Sequence, residues 1–182
     1  MIPSHNEQLP LWLKFLDETS KVVTSLTAVV LLYTRSAGVA YFGAGALSCA
    51  CSAKLVKRAI RQERPVYNSK GKITYGMPST HASACTFYAV YVPLACLYLP
   101  RHPTLDSGVV VVLAPLLVVP WTSMIVMSRV WLGHHTWSQV LAGTAYGIFF
   151  AAVWFRIWLD DFGGVRTLAH TVEEVLGPWI GR

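Results

Sequence analysis

Three short clusters of cations and histidines punctuate this 182-residue chain. They are Lys57 with Arg64-Pro65, then Pro78-Ser79-Thr80-His81, then Ser128-Arg129 with His135. Arginine offers phosphate oxygens a planar fork and lysine a point charge. A histidine within reach of the same group can attack its phosphorus or protonate what leaves. The chemistry these residue types suit is phosphoryl transfer through histidine.

Each cluster also has a plainer reading. Lys57 and Arg64 are seven residues apart, close to two helical turns, and share a face if the helix beneath them runs past Lys54. Pro65 biases Arg64 away from helical dihedrals, so that helix is expected to end there; the alternative is a solvated or headgroup-binding basic stretch. Pro78-Ser79-Thr80-His81 directly precedes an apolar run. Ser79 or Thr80 would cap the helix that follows, leaving N–H groups that form an anion site with His81 in the first turn. The alternative is an ordinary cap with an incidental histidine. Gln139 follows His135 by four residues, on the same helical face, where its amide oxygen would accept the Nδ1 proton and present Nε2. The rival is a capping box, Thr136-x-x-Gln139, in which Gln139 returns to the Thr136 backbone. The sequence leaves these two open.

The elements that must position the clusters are apolar. The chain is 54% hydrophobic and 13% charged, against roughly a quarter charged in an average soluble domain. Its net charge of +6 resides in one segment: Lys54, Lys57, Arg58, Arg61, Arg64, Lys70 and Lys72 face only Glu63, and elsewhere bases and acids cancel. No aromatic-interleaved platform or recognition helix accompanies this loop, so nucleic acid is not the expected partner; a phosphorylated lipid is. The four cysteines sit in apolar stretches and read as small buried thiols, not as a redox or zinc motif. No glycosylation sequon and no cleavable signal peptide are evident.

Five spans are expected in a single all-α domain over residues 1–182. They run over Thr19–Thr34 (slightly short for a bilayer), Ala37–Ala53, Ala82–Leu99, Gly108–Met127 and Gln139–Leu159, against about 17–25 residues needed to cross. Arg35-Ser36 reads as a tight turn. Leu9–Leu16 and Val165–Trp179 read as amphipathic surface segments. With five spans, the segments after the second and the fourth lie on one side of the membrane. All three clusters fall in those segments, so they can converge at one membrane face.

The pattern Lys57-x6-Arg64-Pro65, Pro78-Ser79-x-His81, Ser128-Arg129-x5-His135 resembles the type 2 phosphatidic acid phosphatase superfamily, over a motif core of residues 57–139. That superfamily includes integral-membrane lipid phosphatases and soluble vanadium haloperoxidases. The resemblance implies a multi-pass helical bundle of about four to five spans. It also implies phosphate-binding roles for Lys57, Arg64, Ser79, Thr80 and Arg129, His81 as the group that protonates the leaving oxygen, and His135 as nucleophile. Thr80 stands where the family usually has Gly, and Gln139 where it usually has the Asp that orients the nucleophile. A neutral amide fixes a tautomer but does not stabilise an imidazolium.

The run Ser128-Arg-Val-Trp-Leu-Gly-His-His-Thr-Trp-Ser-Gln139, with Tyr75-Gly76-Met77 upstream, looks like the dolichyldiphosphatase branch, of which Gln139 is taken as a mark. His134 reads as a bystander, because the spacing from Arg129 selects His135. The resemblance implies a polyisoprenoid diphosphate as substrate, no cofactor or metal, and the endoplasmic reticulum membrane with the site facing the lumen. A broader lipid phosphatase and a non-catalytic anionic-lipid-binding scaffold are the alternatives.

Overall fold

The computed structural model describes residues 10–65, 75–100 and 108–177; Lys70, Lys72 and Trp179 lie outside them. Among the described residues seven α-helices follow in order: α1 (Leu11–Asp17), α2 (Thr19–Thr34), α3 (Ala37–Ile60), α4 (Thr80–Tyr98), α5 (Gly108–Trp131), α6 (Trp137–Leu159) and α7 (Val165–Leu176). No strand occurs among the described residues; one isolated antiparallel bridge joins Glu63 to Tyr75.

α4 is the central helix, packed against α3, α5 and α6. Its contact with α6 is close because both faces are lined with small residues. A Cβ on Gly143 would stand 2.6 Å from the Ser79 carbonyl oxygen, and one on Gly147 2.4 Å from that of Ser83. Such Gly-x3-Gly faces let two helix backbones approach in lipid. Farther from the site the core turns aromatic: Phe87 and Tyr91 of α4 stack 5.4 Å apart, and Tyr91 meets Phe155 of α6 edge-on at 5.3 Å. Ala46 and Cys49 complete this core from α3.

α3, α5 and α6 are long and apolar enough to cross a membrane, by length and composition. The other two expected spans are helical over nearly the expected ranges but differ in kind. α2 has only 16 residues. α4 places Thr80, His81, Ser83 and Thr86 in its first two turns, so its site end is polar; its middle, Cys85 to Phe87 and Tyr91, is buried, and its far end at Leu97 and Tyr98 is exposed. α5 is flanked on its outer side by exposed Val112, Leu116 and Leu117, as a lipid-facing helix should be. The turn at Arg35 is as expected, with Arg35 left-handed at φ 50°. α7 docks through Glu173, whose carboxylate accepts from the Ala37 N–H at 2.8 Å, and leaves Leu168, Val172 and Val175 exposed.

Two expectations need correction. α3 does run past Lys54, but it stops at Ile60, where Arg61 turns left-handed (φ 55°) and returns its N–H to Lys57. Arg64 therefore sits four residues beyond the helix and shares no helical face with Lys57. The chain leaves the helix early because residues 62–65 double back against Tyr75 and Gly76. Among the cysteines, Cys49 and Cys85 are buried but Cys51 is exposed. Two residues along a helix is more than half a turn, so Cys51 faces away from the contact that Cys49 makes.

Candidate active site

The α5–α6 connection is short and closely bonded. Gly133 takes a left-handed conformation (φ 70°), and the N–H groups of His134 and His135 both reach the Arg129 carbonyl, at 3.0 and 3.2 Å. That shared acceptor fixes the distance along the chain between Arg129 and His135. Thr136 then caps α6.

Gln139 is the hub of the site. Its side chain is buried, 1% exposed, and all of its amide groups are engaged. Oε1 lies 3.2 Å from His135 Nδ1 and 3.3 Å from the Thr136 N–H. Nε2 donates to the Glu63 carbonyl at 2.8 Å and to Gln62 Oε1 at 3.3 Å. The two rival readings of Gln139 are thus both realised, since one carbonyl oxygen has two lone pairs. The amide's orientation is fixed independently, because only its nitrogen can face the Glu63 carbonyl. An oxygen facing Nδ1 can only accept, so the proton sits on Nδ1 and the Nε2 lone pair is free.

A small antiparallel clasp holds the other side of Gln139. Gly76 N–H donates to the Gln62 carbonyl at 2.6 Å, and Arg64 Nε donates to the Tyr75 carbonyl at 3.3 Å. Gly76 lies directly against the Gln139 amide: a Cβ there would come within 2.3 Å of Nε2. Gln62 was not singled out in the sequence, and Gly76 only as part of the Tyr75-Gly76-Met77 run; their contact with Gln139 spans some 60 to 80 positions, and no local spacing announces it.

The α4 N-terminus faces this hub. Ser79, fully buried, caps the helix by accepting from Ala82 N–H at 3.4 Å, and its own N–H donates to the Gln139 carbonyl at 3.0 Å. Thr80 and His81 follow in the first turn, both half-buried. The cap expected at Ser79 or Thr80 is therefore Ser79.

On the far side, Arg129 is 2% exposed. Its Nη1 pairs with Asp17 Oδ1 at 2.8 Å, and Nη2 donates to the Leu16 carbonyl at 2.8 Å and to Ser128 Oγ at 3.3 Å. Asp17 also approaches His134 Nε2 at 3.4 Å. Asp17 went unnoticed in the sequence because it is an ordinary acid at the end of a short helix.

The electrostatics join the clusters. His81 stands ahead of the apolar stretch that begins at Ala82, and burial pushes its imidazole down to about 4, with Arg129, His134 and Lys57 acting in the same sense and Asp17 opposing. Burial and Arg64 push His135 down to about 3, with Lys57 and His134 adding and the Gln139 hydrogen bond opposing. Both histidines therefore feel the cations named from sequence, and both favour the neutral form. Among the described residues no group of three or more His, Cys, Asp or Glu could hold a metal ion.

A family model described as the PAP2 superfamily matches residues 36–162. Dolichyldiphosphatase 1 of Homo sapiens is 37% identical over 109 residues, covering 56% of this chain and 44% of the relative. The protein of the same name from Dictyostelium discoideum is 27% identical over 129 residues, covering 70% and 56%. Lipid phosphate phosphatase epsilon 1, chloroplastic, of Arabidopsis thaliana is 28% identical over 143 residues, covering 78% and 49%. The chain spans about half the length of the curated relatives it matches. No solved structure matches it.

Proposed function

Since the chain belongs to the PAP2 superfamily, we propose that it is a membrane lipid phosphatase that removes the terminal phosphate of dolichyl diphosphate, giving dolichyl phosphate and inorganic phosphate. The observation that carries this reading is the free Nε2 of His135, left by the Gln139 contact, within reach of the charges of Lys57 and Arg64. Lys57, Arg64 and Arg129, with the α4 N-terminus at Ser79 and Thr80, bind the phosphate oxygens and neutralise charge that grows during transfer. His135 Nε2 forms a bond to the terminal phosphorus while the bridging P–O bond breaks. His81, protonated once the anion is bound, gives its proton to the departing oxygen. Water then attacks the phosphohistidine, His81 takes back a proton, and phosphate leaves with His135 neutral again.

The names of the relatives support dolichyl diphosphate as substrate. With that substrate goes the endoplasmic reticulum membrane, a lumenal site, and return of the carrier lipid to protein N-glycosylation. One relative's name favours a second reading, a broader lipid phosphate phosphatase. Phosphate release by purified protein from dolichyl diphosphate, dolichyl phosphate and phosphatidate, each with and without chelator, tests both. Preference for dolichyl diphosphate unaffected by chelator is expected. Comparable release from phosphatidate would favour the second reading, and release from none would leave a non-catalytic lipid-binding scaffold.

A further inference from the structure

α1 is a short helix, yet it is anchored to the site end of the bundle. Leu16 is buried with Cys85 and Ile125, Trp12 meets Trp131 edge-on at 6.1 Å, and Phe15 meets Trp121 at 5.5 Å. These contacts deliver the C-terminal end of α1, its Leu16 carbonyl and its Asp17 carboxylate, onto the Arg129 guanidinium and beside His134. A buried guanidinium needs such partners, because an unpaired buried charge is strongly destabilising.

The placement is one-sided. The charged groups acting on His81 are Arg129 of α5, Asp17 of α1, His134 of the α5–α6 loop and Lys57 of α3. Those acting on His135 are Arg64, Lys57 and His134, with no acid among them. The two histidines need opposite protonation, since an attacking imidazole must be neutral and a proton donor must be charged.

We propose that Asp17 is a positioning residue that seats Arg129 and places negative charge on the His81 side of the site, so that the proton taken up with a bound anion goes to His81 and not to His135. This rests on the phosphatase reading for its consequence, but not for its test. An anion entering the site favours protonation of both histidines. Asp17 offsets part of the Arg129 charge felt at His81, whereas no acid offsets Arg64 at His135, where only the Gln139 hydrogen bond opposes it. The result is a donor and a nucleophile from two residues of one type.

The test is calorimetric titration of the purified protein in detergent with sulfate, in buffers of different ionisation enthalpy, which counts protons taken up with the anion. Uptake is expected in the wild type and in His135→Gln and absent in His81→Gln. In Asp17→Asn the pH at which uptake occurs should fall by about one unit, a tenfold change in protonated fraction, and Asp17→Glu should restore it. Unchanged uptake in Asp17→Asn, uptake lost in His135→Gln instead of His81→Gln, or no sulfate binding at all overturns the assignment. An Asp17→Asn protein that no longer folds makes Asp17 a structural anchor and overturns it equally. A wild type that takes up protons with sulfate but releases phosphate from no lipid sinks the phosphatase reading alone.

Discussion

His135 Nδ1 lies 3.2 Å from Gln139 Oε1, on an amide whose nitrogen is held 2.8 Å from the Glu63 carbonyl. The imidazole tautomer is therefore set by a backbone carbonyl that arrives from the end of α3, through a side chain that belongs to α6. An aspartate at position 139 could accept from His135 but could donate nothing to Glu63 or Gln62. The glutamine is suited to joining His135 to the clasp formed by residues 62–65 and 75–76.

Breaking that link should be costly in two ways. Gln139→Leu leaves the Glu63 carbonyl without its donor, for a loss of about 1–3 kcal/mol in stability. It also frees the His135 tautomer, for which kcat should fall about 10²–10⁴-fold with little change in KM. Gly76→Ala should reproduce the kcat loss by displacing the amide. Wild-type kcat in Gly76→Ala would mean that the clasp does not position His135.

The helices and the His135–Gln139 spacing were legible in the sequence because both are local. Hydrophobic runs bounded by Arg35-Ser36 and His81 delimit helices, and a separation of four residues puts two side chains on one face. The end of α3 was not legible, because Pro65 gives only a local preference while the pairing of residues 62–65 with Tyr75 and Gly76 is a tertiary contact. Asp17 meets Arg129 across 112 positions, and nothing at Asp17 itself distinguishes it from Glu18. Gly143 and Gly147 were readable in principle, since their spacing is that of a close helix contact, but which helix they meet was not.

That contact yields a second prediction. Gly147→Leu would drive a side chain into the Ser83 carbonyl and Thr86 and separate α4 from α6, misplacing Ser79 relative to Gln139. Overpacking of this kind costs about 1–3 kcal/mol or more. The thermal midpoint in detergent and activity should fall together, whereas Leu at Gly108, which has open space around it, should leave both unchanged. A Gly147→Leu protein as stable as wild type would contradict the close α4–α6 packing.

A third prediction concerns acid. His81 and His135 titrate in the folded protein at about 4 and about 3, below the ordinary value of 6.5, because of burial. Between those values and 6.5 the unfolded chain binds protons that the folded chain does not, so stability rises with pH across that window. The histidines' contribution is fully present above 6.5 and is lost as pH falls toward 4 and then 3. Thermal midpoints followed over this range should fall with pH in the wild type and fall less in a His81→Gln, His135→Gln double variant. Identical slopes would mean that neither imidazole is buried as a neutral group.

The last prediction turns on the leaving group. When a diphosphate is cut at its terminal phosphorus, a phosphate monoester departs, whose second pKa is about 6; cutting a monophosphate expels a far more basic alkoxide. An easier departure requires less positive charge to build on His135 before the bond breaks, and the neutral Gln139 offers that charge a dipole but no counter-charge. Dolichyl diphosphate should therefore be turned over much faster than dolichyl phosphate. Gln139→Glu keeps the length and the acceptor facing Nδ1 while adding charge, so it should narrow the ratio of kcat/KM for the two lipids. It should also lower stability, because a carboxylate then faces the Glu63 carbonyl and Gln62. Equal turnover of both lipids by the wild type would remove the leaving-group argument and leave Gln139 with only its role in holding the tautomer and the clasp.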